Sequence, residues 1–167
     1  MTIIIPQHRI ALLQDAFFEY SGEEAEDETD VPDRNLFESI TDPAELHFIA
    51  DIYNWDDGTT VLEWIVDSPL CEPATAKMIF WRSQPDYYTT IEKEEEAGWA
   101  LDVYQLLKKI LKHFQEDRYQ AGNIGYDPKQ DTCAPEDLDY RDPAETWTIP
   151  DWMKTPIPGA QVRYEGW

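Results

Sequence analysis

The stretch DPAELHFIADIYNWDDG, residues 42–58, combines a helix start, a one-sided apolar pattern and a turn. Asp42 is predicted to cap the first amides of a helix, and Pro43 suits the first helical position because its missing N–H costs nothing there. Glu45 has the spacing to bond back to the cap. The apolar residues that follow share one helical face, and they are Leu46, Ile49, Ala50 and Tyr53. The stretch therefore predicts a helix that ends near Asn54.

Helical patterns also flank this stretch on both sides. The predicted helices span residues 7–20, 33–40, 42–53, 58–67, 72–83 and 89–120. The last is the longest, because Thr89 and Glu92 have capping-box spacing and a run of glutamates precedes a run of lysines, which complements the helix dipole. Trp99 and Phe114 fall on its predicted buried stripe.

Residues 122–167 have a different character, with six prolines, isolated aromatic residues and no sustained helical period. They predict an extended C-terminal arm that packs its aromatic side chains on a helical domain of residues 1–121. The expected fold is all-α, a compact stack of about five to six antiparallel helices like a small helical-repeat protein.

Negative charge dominates the chain, since 35 Asp and Glu outnumber 13 Lys and Arg and the formal net charge is −22. Between Ile10 and Ala76, 18 acidic residues accompany one basic residue, Arg34. Such a field repels nucleic acid and anionic membranes, and it attracts cationic protein surfaces. A charge that serves only solubility is the alternative. Because like charges repel, residues 21–34 are predicted to form an extended acidic loop.

The two cysteines, Cys71 and Cys133, have no Cys-x-x-Cys spacing, and a reducing compartment is the simpler expectation. The isoleucines after Met1 lack the basic region and the long apolar core of a signal peptide. No apolar run approaches the roughly 20 residues that span a bilayer. We therefore expect a soluble cytoplasmic protein.

Adjacent carboxylates in the NWDDG turn raise the question of catalysis. Asp57 is expected to cap the next helix, Asp56 to bond turn amides, and Asn54 and Gly58 to shape the turn. His47 lies four residues before Asp51, on one side of a helix, but no nucleophile is tied to them by a known spacing. A partly buried, hydrogen-bonded histidine is therefore expected. Zinc-site spacing, a phosphate-binding glycine loop and an EF-hand are missing from the sequence, so we predict no cofactor and no metal.

Residues 46–81, LHFIADIYNWDDGTTVLEWIVDSPLCEPATAKMIFW, resemble a bacterial family catalogued as domain of unknown function 4274. The shared motifs are Asn54–Gly58, Ser68–Cys71 and the Phe80–Trp81 pair. Residues 125–128 and 147–159 resemble the C-terminal arm of that family. Similar proteins occur among bacterial toxin-associated genes, so the resemblance implies an immunity protein.

The first functional hypothesis is a non-enzymatic immunity protein that occludes a cognate secreted toxin domain with a basic surface. It would act without nucleic acid or membrane, and its oligomeric state is open. The residues predicted to bind the partner are Glu23, Glu24, Glu26, Asp27, Glu28, Asp30, Trp55 and Asp56. One alternative is a small hydrolase or metal-dependent enzyme in which Asp56, Asp57 and His47 converge in one pocket. Another is a scaffold or adaptor that docks through its arm.

Overall fold

The computed structural model describes residues 1–18 and 32–166, and these ranges contain six α-helices and two short strands. The helices are α1 (Gln7–Phe17), α2 (Arg34–Ser39), α3 (Pro43–Asp51), α4 (Thr60–Asp67), α5 (Pro73–Arg82) and α6 (Leu101–Gln115). The strands are β1 (Thr2–Ile5) and β2 (Gln161–Tyr164). The predicted mostly helical fold is therefore confirmed, but the all-α class omits a small sheet. The antiparallel, repeat-like order of the helices remains a prediction.

Helix α3 occupies the centre of the fold and contacts α1, α4, α5 and both strands. Its predicted start is confirmed, because the Asp42 Oδ1 accepts the Ala44 amide at 2.9 Å and Pro43 is the first helical residue. The prediction that Glu45 bonds back to the cap is wrong. Its carboxylate instead accepts two hydrogen bonds from the Arg9 guanidinium, at 2.6 and 2.8 Å, and thereby joins α3 to α1.

The two strands pair in parallel and bring the two ends of the described chain together, with Thr2 opposite Gln161 and Ile5 opposite Tyr164. Ile3 and Ile5 face inward while Ile4 is exposed, as the alternation of a strand requires. All four residues of β1 are β-branched, which favours this conformation. The partner strand lies near the other end of the chain, so local patterning could not reveal the pairing.

The predicted helix over residues 89–120 is wrong in its first half, because α6 begins only at Leu101. Short 3-10 helices replace the missing turns, at Glu94–Glu96 and Gly98–Ala100. Gly98 has φ +56°, a left-handed conformation that interrupts an α-helix, and the Thr89 carbonyl accepts the Thr146 amide at 2.8 Å. Trp99, predicted to be buried, is 93% exposed. The second half forms the expected buried stripe, which includes Leu106, Leu107 and Ile110.

Residues 122–166, called here the arm, contribute Leu138, Ile149 and Met153 to the same hydrophobic cluster as the helices. Side chains of α5 hold the arm through its backbone. The Lys77 Nζ donates to the carbonyls of Trp152 and Thr155, at 2.6 and 2.7 Å. Burial lowers the pKa of Lys77, and these two carbonyls satisfy the buried ammonium.

Two further contacts of the arm depend on close approach. The Trp81 Nε1 donates to the Met153 carbonyl at 2.8 Å. Within the arm, Gly125 and Gly159 pass so close that a Cβ on Gly159 would lie 2.6 Å from the Gly125 amide nitrogen. Only glycine fits there, because the opposing atoms are backbone and cannot rotate away.

None of the helices in the described ranges combines the length and the apolar character needed to cross a membrane.

Candidate functional site

The acidic residues predicted to bind a partner fall mostly outside the described ranges. These residues are Glu23, Glu24, Glu26, Asp27, Glu28 and Asp30. Their role remains a prediction. The predicted helix over residues 33–40 is confirmed at the end of this segment, because α2 begins at Arg34 and the Asp33 side chain caps it by accepting the Leu36 amide at 2.9 Å.

The NWDDG turn forms a 3-10 helix over Trp55–Asp57. The Asn54 side chain caps it by accepting the Asp56 amide at 3.1 Å, and the Tyr53 hydroxyl donates to the Gly58 carbonyl at 2.7 Å. The capping role predicted for Asp57 is wrong, because α4 begins at Thr60 with Thr59 at the N-cap position. Gly58 has φ +83°, which explains its place in the turn.

The two turn residues predicted to reach a partner differ in exposure. Asp56 is exposed, whereas Trp55 is half-buried and packs edge-on against Tyr53 at a centroid distance of 6.5 Å. Asp56 is therefore accessible to a partner, and the Trp55 ring is mainly a packing group between α3 and the turn.

A polar cleft of about 600 Å³ lies between α3, α5 and the arm. Its floor carries the buried ion-pair network of Arg82. The guanidinium donates to Asp51 Oδ1 at 2.6 Å, to the Asp51 carbonyl at 2.8 Å, and to the two oxygens of Asp131 at 2.8 and 3.2 Å. The hydroxyls of Tyr126 and Tyr164 donate to Asp131 and Asp51, respectively.

Hydrogen bonds and opposite charges within this network favour the charged forms of Arg82 and Asp131. Burial disfavours the charged guanidinium, but hydrogen bonds and charge from Asp131 and Asp51 outweigh it and raise the pKa of Arg82. Burial would raise the pKa of Asp131, but hydrogen bonds from Arg82 and from the Cys133 amide lower it. Since each carboxylate oxygen of Asp51 and Asp131 accepts a hydrogen bond within the protein, the network ties the arm to α3 and α5.

His47 lines the same cleft from α3, and its Nδ1 lies 2.9 Å from the Thr75 hydroxyl. Burial lowers the pKa of His47 to about 4, so the ring is neutral at pH 7. The expected hydrogen bond is confirmed, but the ring is buried more deeply than the partial burial expected. The convergence required by the enzyme alternative is not formed, since the described residues lining the cleft include neither Asp56 nor Asp57. Among the described residues, no three His, Cys, Asp or Glu side chains are grouped to hold a metal ion.

A second cavity, of about 500 Å³, opens where the predicted helix fails to form. We call it the acidic aromatic groove. It is lined by Ser83, Gln84, Tyr87, Tyr88, Thr90, Ile91, Ala97, Trp99 and Ala100. Tyr87 is 75% exposed and Trp99 is 93% exposed, so two large aromatic side chains stand at a cavity without being covered.

The rim of this groove is negatively charged. Glu92, Glu94, Glu95 and Glu96 are all exposed, and none of them forms an ion pair with a described residue. Lys93 is the basic residue within this run. Burial and, after it, the charges of these four glutamates raise the pKa of Tyr104, which places their negative field at this end of α6.

The groove was missed in the sequence because Trp99 fits the periodic stripe of the helix that follows. Two signals were nevertheless present. A glycine stands immediately before Trp99, and a run of glutamates stands between Tyr87 and Trp99. Glycine inside a helix is unfavourable, so Gly98 makes a continuous helix through this segment less favourable than the periodicity alone indicates.

These features define a mostly helical protein with an arm fixed by ion pairs and an acidic groove bearing exposed aromatic residues. Residues 41–115 match the family described as Domain of unknown function (DUF4274), and this segment of the chain belongs to that family. The match contains α3 to α6, Arg82 and the whole groove, whereas the arm lies beyond it. No curated protein and no solved structure matches the chain.

Proposed function

We propose that this protein is a cytoplasmic immunity protein, which binds a cognate secreted toxin domain with a basic surface and occludes it. The observation that carries the proposal is the charge imbalance, a net charge of −22 with 18 acidic residues against Arg34 between Ile10 and Ala76. A surface of this kind accelerates encounter with a cationic partner and suppresses contact with anionic ones.

The proposed mechanism is steric and electrostatic. The acidic segment within residues 23–30 and the exposed Asp56 would attract Lys and Arg side chains of the toxin during encounter. Once docked, the protein would cover the toxin surface without chemistry of its own. Such binding weakens as salt is added, because exposed charges are screened over about 8–10 Å at ordinary ionic strength.

Co-expression with the C-terminal domain of the protein encoded immediately upstream tests the proposal. We expect that this domain inhibits growth, that the present protein restores growth, and that the two form a complex whose dissociation constant rises with salt. Replacing the six acidic residues of segment 23–30 with their amides should slow association about tenfold or more at low salt. Growth that is unaffected by the present protein, together with no complex, would contradict the proposal.

A further inference from the structure

We propose that the acidic aromatic groove docks a basic segment of the partner protein. An apolar side chain of that segment enters between Tyr87 and Trp99, and its Lys or Arg side chains meet Glu92 and Glu94–Glu96. This inference rests on the proposed function for the identity of the partner, but its test does not require that partner.

The first argument is the exposure of Trp99. Tryptophan is usually largely covered, and contiguous exposed apolar surface in a folded protein marks an interaction site. Trp81 is 1% exposed, and its ring nitrogen donates to the arm. Trp99, by contrast, contacts no aromatic ring among the described residues and lines the same groove as Tyr87, which is 75% exposed. Aromatic side chains of this kind supply the main binding energy of protein interfaces.

The second argument is that the groove is held in shape by the rest of the fold. The arm fixes one wall, because the Trp147 Nε1 donates to the Tyr88 carbonyl at 3.1 Å and the Thr146 amide donates to the Thr89 carbonyl. The Tyr104 hydroxyl of α6 donates to the Glu92 carbonyl at 3.1 Å. A surface ordered in advance loses little conformational entropy when a partner binds.

The negative charge at the groove determines which kind of partner segment can bind there. Four glutamates lie between the groove-lining residues Ile91 and Ala97, and they form no ion pair with a described residue; Lys93 is the basic residue among them. A second copy of a chain with net charge −22 is repelled at such a surface, as are nucleic acid and anionic lipid. A guanidinium or ammonium is attracted to the carboxylates and also to the face of the Trp99 indole. The groove therefore suits a protein segment in which basic and apolar residues alternate.

The experiment uses the whole protein labelled with 5-fluorotryptophan, which provides a fluorine resonance for each of its seven tryptophans. The resonance of Trp99 is assigned with Trp99→Phe. The probe is the capped hexapeptide Arg-Leu-Arg-Leu-Arg-Leu, and the control peptide has Glu in place of Arg. We expect the Arg peptide to shift the Trp99 resonance saturably, more than any other resonance, and the Glu peptide to leave it unchanged.

Calorimetry with the same peptide then measures how much each substitution changes the affinity. Trp99→Ala and Tyr87→Ala should each weaken binding at least about fivefold. Tyr140→Ala is the matched control, because Tyr140 is also an exposed aromatic residue, 50% exposed, but does not line the groove. Its affinity should equal that of the wild type. Circular dichroism confirms that each variant is folded.

The charge of the rim is tested by replacing Glu94, Glu95 and Glu96 together with Gln. Binding should weaken at least about fivefold in low salt, and the difference should shrink in high salt. The control replaces three exposed glutamates elsewhere, Glu38, Glu116 and Glu136, so that the net charge changes equally. An equal loss in the control would show that overall charge, and not this rim, attracts the peptide, and it would overturn the inference.

The two proposals fail in different ways. An unshifted Trp99 resonance, or an affinity that Trp99→Ala leaves unchanged, overturns the groove as the docking surface even if the upstream toxin domain is neutralised. Failure to neutralise that domain overturns the proposed immunity function even if the Arg peptide binds at Trp99.

Discussion

The arm and residues 89–100 differ in how their sequence predictions compare with the structure. The arm has six prolines and no helical period, and as predicted it packs on the helices, where it contributes to the core and is held by the α5 side chains of Lys77, Trp81 and Arg82. Residues 89–100 have helical spacing and a capping pattern, yet they form short 3-10 turns in which the Trp99 side chain is exposed.

The difference shows that hydrogen-bond partners from distant residues decide the conformation of these segments more than their local sequence patterns do. Backbone carbonyls of the arm need donors once they are buried, and α5 supplies them. The carbonyl of Thr89 is bound by the arm, so it is not available to start a helix at this position. The arm binds backbone carbonyls of this segment, while the side chains of Tyr87 and Trp99 remain exposed.

The largest expected effect comes from breaking the attachment of the arm at Arg82. Arg82→Met leaves Asp51 and Asp131 without their cation, and Asp131 is only 6% exposed. We expect a loss of about 3–5 kcal/mol in the free energy of unfolding, measured with guanidinium at pH 7. The control is Arg141→Met, which removes a guanidinium from an exposed pair on the arm and should have a far smaller effect. Equal effects would mean that the buried network does not hold the arm.

The second prediction concerns pH and the histidine beneath the arm. The pKa of His47 is about 4 in the folded protein, below its ordinary value of 6.5, because burial disfavours the charged ring. The unfolded chain therefore binds the extra proton first. Stability should be constant with respect to this group above pH 6.5 and should fall between pH 6.5 and 4, by an amount on the order of 3 kcal/mol.

Unfolding measured across this pH range checks the prediction against His47→Gln, which should lack this part of the slope. His8→Gln replaces an exposed histidine of α1 and should keep the wild-type slope. If His47→Gln retains the full slope, other groups cause it and the buried histidine beneath the arm does not.

The third prediction compares one substitution at two glycines. Gly159→Asn places a Cβ against the Gly125 backbone of the arm, and we expect a loss of about 2 kcal/mol or more in thermal or chemical unfolding. Gly98→Asn lies in the exposed segment, where no atom lies within 4 Å of the added Cβ, and Asn tolerates a left-handed φ. Its cost should remain below about 1 kcal/mol. A reversed order would mean that the arm yields more easily than the exposed turns.

The smallest expected effect is that of Trp99→Ala on stability. Because the side chain is almost fully exposed, the free energy of unfolding should change by less than about 0.5 kcal/mol. Trp147→Ala, on the arm, should cost several times more, because its indole donates to the Tyr88 carbonyl and lies 3.8 Å beneath the Lys108 ammonium. A large loss for Trp99→Ala would show that this ring packs on the fold and would weaken the case for an open groove.

Sequence reasoning was most successful where the decisive contacts lie within a few residues. The start of α3 depends on Asp42 and Pro43, and the buried stripe of α6 depends on the spacing of its leucines. It was least successful where a distant segment competes for a backbone group. The start predicted at Thr89 failed in that way. The cap assigned to Asp57 failed for a local reason, because Asn54 caps the turn and Thr59 is the N-cap residue of α4. The candidate groove was hidden by the error at Thr89, since the false helix would have buried Trp99.

The sequence by itself determined the helices with local caps and one-sided apolar faces, the family signature and the negative charge, because each depends on neighbouring residues or on composition. Only the tertiary structure decided that β1 pairs with β2, that Arg82 joins Asp51 to Asp131, and that Tyr87 and Trp99 remain exposed. These outcomes depend on contacts between residues that are far apart in the sequence. Burial stabilises such a contact only after the chain has brought both residues together.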